Sequence, residues 1–318
     1  MSFVLSVLAL LLHAALLIGV APLAGGLVGI VRARLGGRAG AGLMQPWRDL
    51  ARLLRKQPVV AEQASFVTSG APVVVLAATM VAGLLVPSFA LGMAGGSAAD
   101  LLVVAGLLAT ARVGLALAAM DAGSFMGGLG ASRTMLVGVL AEPGLLLVVL
   151  VFVGLAGSSD LEVIAGVLRE GGGRSVSIGL AAAAMLPLAL VANARMPVQD
   201  QAGGGEPAMA QAAMMLEYSG WHLAAIEFAG SVRLLIWIGL LGSLFSPQLL
   251  AGAGSGPFVW VLAIIGWGLR VVVACVALGG FEMLVVRVRP ARVPHFIGAA
   301  LLLGVLAVIF LFVGAAGA

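Results

Sequence analysis

The sequence predicts an all-α, polytopic membrane protein with about eight transmembrane helices and one cytoplasmic amphipathic helix. Hydrophobic residues make up 62% of the chain and charged residues only 9%, whereas a soluble domain carries about 25% charge. The mean hydropathy is +1.19. The apolar residues form long continuous runs without period-two alternation, which excludes a β-barrel. This composition also excludes a soluble enzyme, a disordered chain and a nucleic-acid-binding protein with a solvated surface.

The predicted spans are runs of about 20 mostly apolar residues, the length that a helix needs to cross a bilayer. They cover residues 3–31, 68–90, 100–120, 135–157, 176–196, 232–250, 259–281 and 296–316. We treat residues 1–318 as a single membrane domain. No Lys or Arg precedes the first run, so a retained span is favoured over a cleaved signal peptide.

The basic residues predict the orientation of the spans, because Lys and Arg concentrate in cytoplasmic connections. Most of them fall on one side of the predicted membrane, and the opposite side carries only Arg169 and Arg174. The basic side includes Arg34, Arg38, Arg133, Arg195 and Arg233. Both termini are therefore expected to face outward, and the long connections 32–67 and 197–231 are expected to be cytoplasmic docking loops.

Residues 45–56 have the pattern of a basic amphipathic helix at a membrane surface. Pro46 suits a first helical position. Trp47, Leu50 and Leu54 share one face of the predicted helix, and arginines at 48, 52 and 55 share another. Two interpretations stay open: an anchor to lipid headgroups, and a docking surface for a soluble partner.

Several charged side chains lie in or beside the apolar runs, where insertion costs at least about 2.5–3.5 kcal/mol per charge. They are Arg112, Asp121, Glu142, Glu217, Glu227, Arg270 and Glu282. Glu142 precedes Pro143, which removes a backbone donor and is expected to disturb the helix. Such a carboxylate can take up water and a proton. The alternative is a structural ion pair with Arg112 or Arg270.

Two further acidic regions allow both a functional and a structural interpretation. Asp121 begins a glycine-rich stretch that ends at Arg133, and the structural alternative is a flexible loop with a capping aspartate. Glu217 and Glu227 flank the only tyrosine of the chain, Tyr218. The structural alternative for these two acids is ion pairing.

The sequence does not supply the ligands of a redox centre. The chain has one cysteine, Cys275, and three widely separated histidines. One thiol cannot hold an iron–sulfur cluster or a structural zinc. Any redox centre is therefore expected on another chain.

Four strings of the sequence resemble the complex I subunit 1 family, and in particular its hydrogenase branch. Residues 29–40 (GIVRARLGGRAG) and 45–56 are similar to the family's first cytoplasmic loop. Residues 121–144, which end in Leu-Ala-Glu-Pro-Gly, resemble the hydrogenase branch more than the quinone-reducing branch. Residues 216–229 match the same branch, and Arg-Val-Pro at 292–294 completes the set.

This resemblance implies a non-catalytic subunit that anchors a cytoplasmic redox module of an energy-converting, formate hydrogenlyase-type complex to the cell (inner) membrane and conducts protons. The implied partners are a hydrogenase-like large subunit, an iron–sulfur small subunit, antiporter-like membrane subunits and the lipid bilayer, with no nucleic acid. The chain itself would hold no cofactor. Iron–sulfur clusters, with or without a nickel–iron centre, would lie on partner subunits.

The residues and the resemblance together give two sets of candidate site residues. The proton-pathway set consists of Asp121, Glu142, Glu217, Glu227 and Glu282. The partner-docking set consists of Arg34, Arg38, Gln45, Pro46, Asp49, Arg133, Asp200, Glu206 and Tyr218. No catalytic and no metal-binding residue is predicted.

The sequence departs from the family pattern after Asp200. The family has a run of polar residues at this place, and this sequence keeps two of them, as Glu206 and Met209. The family's two histidines and its second glutamate are replaced here by Gly204, Gln211 and Ala212. This departure motivates one alternative, a purely structural anchor whose proton route has decayed. A stand-alone proton-coupled secondary transporter is the other alternative, although the two halves of the sequence show no clear internal repeat.

Overall fold

The computed structural model of the protein describes residues 3–61, 63–170, 176–195, 206–252, 255–284 and 293–316. Within these ranges it contains α-helices and short 3₁₀ turns but no named strand. The α-helices are α1 (Phe3–Leu35), α2 (Gln45–Leu54), α3 (Phe66–Leu85), α4 (Leu101–Asp121), α5 (Phe125–Ala156), α6 (Leu161–Arg169), α7 (Val176–Ala192), α8 (Glu206–Met215), α9 (Gly220–Phe245), α10 (Pro257–Leu284) and α11 (Val293–Ala316). The predicted all-α, multi-pass architecture is confirmed.

Seven of the described helices are long and apolar enough to cross a membrane: α1, α3, α4, α5, α9, α10 and α11. The remaining predicted span, 176–196, coincides with α7, an apolar helix of 17 residues, so the count of eight stays a prediction. The amphipathic helix predicted at 45–56 is present as α2. The short helices α6 and α8 were not predicted.

Two predicted boundaries are wrong, and both concern residues that were assigned to loops. Helix α5 begins at Phe125, so most of the glycine-rich stretch is helical. It also continues through Pro143, so the helix does not end beside Glu142, although Pro143 has no N–H group to donate within it. Helix α9 begins at Gly220, twelve residues before the predicted span, which places Arg233 halfway along a membrane helix and not in a connection.

Capping side chains explain where several helices begin, because they satisfy backbone N–H groups that have no partner within the helix. The hydroxyl of Ser65 accepts from the N–H of Val67 at the start of α3. The carboxylates of Asp100 and Asp160 do the same for α4 and α6, accepting from the second helical residue of each.

The helices pack through interfaces that are rich in alanine and β-branched residues. Helix α3 packs against α4 and α9, α11 packs against α5 and α7, and α1 packs against α10. Small side chains at these contacts allow close approach of helix backbones, which is how membrane helices associate without a hydrophobic driving force. The short helix α8 lies against α4 and α5.

A buried histidine fixes α1 to the end of α3. The Nε2 of His13 lies 3.0 Å from the carbonyl oxygen of Gly83. A carbonyl can only accept, so Nε2 carries the proton and Nδ1 accepts from the hydroxyl of Ser88, 2.7 Å away. The backbone oxygen of Ser88 also accepts from Arg270 of α10, at 3.2 Å. These hydrogen bonds join α1 and α10 to the end of α3 and the connection after it.

Helix α6 closes the opposite end of the molecule from α2 through the carboxylate of Glu162. Its Oε1 accepts from the backbone N–H of Gly92, at 2.7 Å. Burial raises the pKa of Glu162 above its ordinary value of 4.5, and the charge of Asp160 adds to this, although the hydrogen bond from Gly92 opposes it. The folded protein therefore binds this proton more tightly than the unfolded chain does.

We expect the Glu162→Gln variant to be less sensitive to pH than the wild type. Because the folded-state pKa is raised, the wild-type protein loses stability as the pH rises from 4.5 through that raised value. The amide of the variant stays neutral and still accepts from Gly92, so this loss should disappear. Thermal unfolding in detergent across this pH range measures the difference. Glu170→Gln, at the exposed end of α6, is the control and should keep the wild-type slope.

Candidate functional site

Helix α2 forms a surface platform over α1 and α9. The Nε1 of Trp47 donates to the backbone oxygen of Gly19, at 3.2 Å, and its ring lies 6.3 Å from that of Phe228. Leu50 is buried beneath the helix, whereas Leu54, predicted on the same face, is 64% exposed. The apolar side of α2 is thus held by the membrane helices and its basic side faces outward.

Several predicted docking residues lie together at this platform. Pro46 occupies the first turn of α2, and Gln45 donates from Nε2 to Asp49 Oδ1 at 2.9 Å. Arg34 lies in the last turn of α1 and Arg38 follows the helix, and both are exposed. Asp200 and the side chain of Glu206 lie outside the described part of the chain.

The connection after α2 is fastened to the turn before α9. The backbone N–H of Val59 donates to the hydroxyl of Ser219 at 2.7 Å. Gly220 has a φ of +57°, and a Cβ added there would lie 2.6 Å from the backbone oxygen of Lys56. Only glycine fits both the backbone conformation and the close approach. The platform and the start of α9 are therefore one structural unit.

Asp121 serves as a cap for the neighbouring helix α3. Its Oδ2 accepts from the backbone N–H groups of Ser65 and Thr68, at 2.9 and 3.1 Å, and from the Thr68 hydroxyl at 2.6 Å. Tyr218 donates from its hydroxyl to the backbone oxygen of Thr68 at 3.0 Å. These contacts favour the structural interpretation of Asp121, as a capping residue of α3 and not of its own loop.

Glu142 forms an ion pair with Arg112 across the α4–α5 interface. This is one of the two arginines predicted as its partner; the other, Arg270, contacts the backbone of Ser88. Gly138 lies directly beneath the Arg112 guanidinium, since a Cβ there would be 2.6 Å from Nε. The glycine, one turn before Glu142, leaves the room through which the arginine reaches the carboxylate.

Glu282 is 10% exposed and contacts two arginines. Its carboxylate oxygens lie 3.2 Å from Arg195 and 3.7 Å from Arg32. The prediction that Glu282 has a partner on another span is confirmed, because Arg32 belongs to α1. The contacts tie α1, α10 and the end of α7 together at the platform end.

Glu227 faces a cavity of about 390 Å³ that also reaches Arg195 and Arg233. A second cavity, of about 310 Å³, lies on the other side of Arg233 and is lined by Arg112 and Arg133. Each has room for roughly ten water molecules.

Arg133, predicted in a docking loop, lies within α5 and lines the second cavity. Glu217 lies in the turn between α8 and α9, beside Tyr218.

Sequence reasoning missed the part of Arg233 and Gln211 in this region. Arg233 Nη2 donates to Gln211 Oε1 at 3.1 Å, and both residues line both cavities. The start of the helix is what identifies Arg233: with a span that begins at Gly220 and not at residue 232, Arg233 is a charge inside the membrane. No group of His, Cys, Asp and Glu side chains in the described ranges could hold a metal ion.

The fold and the buried charges define a polytopic membrane subunit with a surface platform. The family model described as NADH dehydrogenase matches residues 2–313. The chain therefore belongs to the NADH dehydrogenase family, which is the complex I subunit 1 family. The predicted resemblance to that family is confirmed.

Two curated relatives from Escherichia coli agree with this assignment. Hydrogenase-4 component C is 30% identical over 237 residues, which is 74% of each chain. Formate hydrogenlyase subunit 4 is 29% identical over 289 residues, which is 90% of this chain and 92% of the relative. Both relatives are named as components of larger assemblies.

A solved structure has the same fold. The matching chain comes from the membrane-bound sulfane sulfur reductase, described as an archaeal respiratory membrane complex. The TM-score is 0.79 at 18% sequence identity, and the match covers 96% of this chain and 98% of the other.

We expect Tyr218 to ionise at unusually high pH. Burial, and then the negative charge of Asp121, raise its pKa from 10.0 to about 12. Because it is the only tyrosine, ultraviolet titration of the purified subunit follows this one phenol. Asp121→Asn should lower the midpoint, since it removes the charge. Tyr218→Phe should remove the titration step, and a wild-type midpoint at the ordinary value of 10 would contradict the structure.

We expect Gly138→Ala to break the Arg112–Glu142 ion pair without unfolding the protein. The added Cβ would displace the flexible end of Arg112 and not a backbone atom. In detergent the variant should unfold at a lower temperature than the wild type, because the Glu142 carboxylate loses its cationic partner. Gly128→Ala is a matched control on the same helix, because a Cβ at that position has nothing within 4 Å. Equal effects of the two substitutions would refute this role for the ion pair.

Proposed function

We propose that this protein anchors a soluble redox module to the membrane and conducts protons within a respiratory, hydrogenase-like complex. The observation that carries the proposal is the position of Glu227. It lies one residue from Phe228, which contacts the platform helix α2, and it faces one of the two cavities. A docking surface and an acid that lines a cavity are thus adjacent on α9.

The platform supports the anchoring role. Its exposed face carries Arg48, Arg52 and Arg55 on or beside α2, together with Arg34 and Arg38. The apolar face is already occupied by α1 and α9, so the basic face is available to a partner with acidic surface groups. Gln45 and Asp49 would add polar contacts at the same site.

The cavities support the proton-conducting role. A proton that enters at Glu227 would pass through the first cavity, past Arg233, and through the second cavity to the Arg112–Glu142 pair. Water in cavities of this size can bridge groups that do not touch directly. Glu282, Asp121 and Glu217 remain candidates, but the contacts of Asp121 and Glu282 favour structural roles.

The proposal places the platform on the cytoplasmic side of the inner membrane, with the termini outward. The proposed partners are a hydrogenase-like large subunit and an iron–sulfur small subunit at the platform, with antiporter-like subunits in the bilayer. The electron chemistry would take place on iron–sulfur clusters, with or without a nickel–iron centre, of those partners. The names of the two curated relatives support this assembly.

One alternative has specific support in the structure. A purely structural anchor would use its charged residues only to tie helices together, and the contacts of Asp121, Glu142 and Glu282 are compatible with this. The stand-alone transporter has less support, because both curated relatives are components of complexes.

Neutralising the acids tests the proposal. We expect Glu142→Gln and Glu227→Gln, each in the native complex in inverted vesicles, to lose most redox-driven proton uptake per electron transferred. The glutamine amide has nearly the same shape as the carboxyl group that it replaces, but it does not take up or release a proton near neutral pH. Glu170→Gln, in the exposed end of α6, should behave as the wild type. Wild-type proton yields in both variants would establish the structural anchor in place of the proton conductor.

A further inference from the structure

Arg233 occupies the wall between the two cavities. Arg233, Gln211 and Ala194 line both of them. The hydrogen bond from Arg233 Nη2 to Gln211 Oε1 spans this shared wall at 3.1 Å. The cavity with Glu227 therefore meets the cavity with Arg112 at these three residues, two of which form the contact between α8 and α9.

The surroundings of this contact are positively charged. Arg112 lines one cavity together with Arg233, and Arg195 lines the other cavity together with Arg233. Arg112 is ion-paired with Glu142, and Arg195 with Glu282. The contact described for the middle arginine is to the neutral amide of Gln211, a weaker kind of partner for a cation than a carboxylate.

We propose that Arg233 and Gln211 form a closed gate between the two cavities, an inference that rests on the proposed proton-conducting function. Arg233 is the barrier, because a fixed guanidinium at a constriction repels protons and other cations. Gln211 is the positioning residue, because its amide oxygen holds the guanidinium across the wall. The gate opens when this hydrogen bond breaks and the guanidinium moves out of the wall.

The placement of Gln211 gives the gate its control. Helix α8 packs mainly on α4 and α5, whereas α9 packs mainly on α1, α2 and α3, so Gln211 and Arg233 are carried by helices with different neighbours. A small displacement of α9 relative to α8 lengthens the hydrogen bond and weakens it steeply. Helix α9 is also the helix on which the platform rests, so docking or redox events at α2 can reach the gate through one rigid element.

The first experiment measures passive proton leak in vesicles that contain the native complex, without redox substrate. Arg233→Gln removes the charge but leaves a side chain that can still hydrogen-bond to Gln211. We expect it to raise the leak several-fold and to lower the number of protons moved per electron. Arg233→Lys keeps the charge and should return the leak most of the way to the wild-type value.

The second experiment changes the positioning residue and leaves Arg233 intact. Gln211→Ala removes the hydrogen bond, so the leak should rise, though less than in Arg233→Gln. Gln211→Glu has nearly the same shape and pairs ionically with Arg233, so it should hold the gate closed and slow redox-driven proton movement. Gln248→Ala is the matched control, an exposed glutamine in the turn after α9.

The outcomes separate the gate from the proposed function. Wild-type leak in assembled Arg233→Gln and Gln211→Ala complexes overturns the gate, as does an equal leak in Gln248→Ala. If either variant fails to assemble, the isosteric Gln211→Glu variant tests the gate in its place. Redox-driven proton movement at the wild-type rate in that variant also overturns the gate. If the wild-type complex moves no protons with redox turnover, the proposed function fails, while the passive leak still tests the barrier.

Discussion

The structure depends on the compensation of charges that lie within or beside the membrane helices. An unpaired charge there is costly, and the described contacts show how the cost is met. Arg112 pairs with Glu142, Glu282 with Arg195 and Arg32, and Arg270 donates to a backbone oxygen. The contact between Arg32 and Glu282 joins α1 to α10, two helices that are distant in sequence, and the contact between Arg112 and Glu142 ties α4 to α5 near the middle of both helices. Apolar packing against lipid-like surfaces could not specify this arrangement by itself.

Hydropathy was sufficient to predict the class of fold, because the bilayer sets the length of an apolar helix and the sequence has few charges with which to interrupt it. It failed where glycine was taken as a sign of flexibility. Gly130 serves close packing: a Cβ there would lie 2.5 Å from the backbone oxygen of Ala210, so α8 can rest on α5 only if that residue is glycine. Composition cannot distinguish a glycine that loosens a chain from one that lets two helices touch.

The acids of the candidate site were visible in the sequence, but their roles depend on partners that the sequence does not order in space. Asp121 could be recognised as a capping type of residue, yet the residue before the helix that it caps, Ser65, lies 56 positions earlier in the chain. The partner of Glu142 was narrowed to two arginines, and only the packing of α4 on α5 selects Arg112. Arg233 was assigned to a basic loop because the start of α9 was placed twelve residues late. One boundary error thus concealed the charge that lies between the two cavities.

Helix α9 connects the two halves of the proposed function mechanically. Its first residue, Gly220, and the preceding Ser219 are fixed to the connection after α2. Its third turn contacts Trp47 through Phe228, and its midpoint carries Arg233. A helix transmits displacement along its length because its backbone hydrogen bonds keep it stiff over the roughly 20 Å between Gly220 and Arg233. A displacement of α2 is therefore transmitted along α9 to Glu227 and then to Arg233 without passing through a flexible connection. Anchoring and proton control then need not be separate properties of the chain, because one helix carries the residues of both.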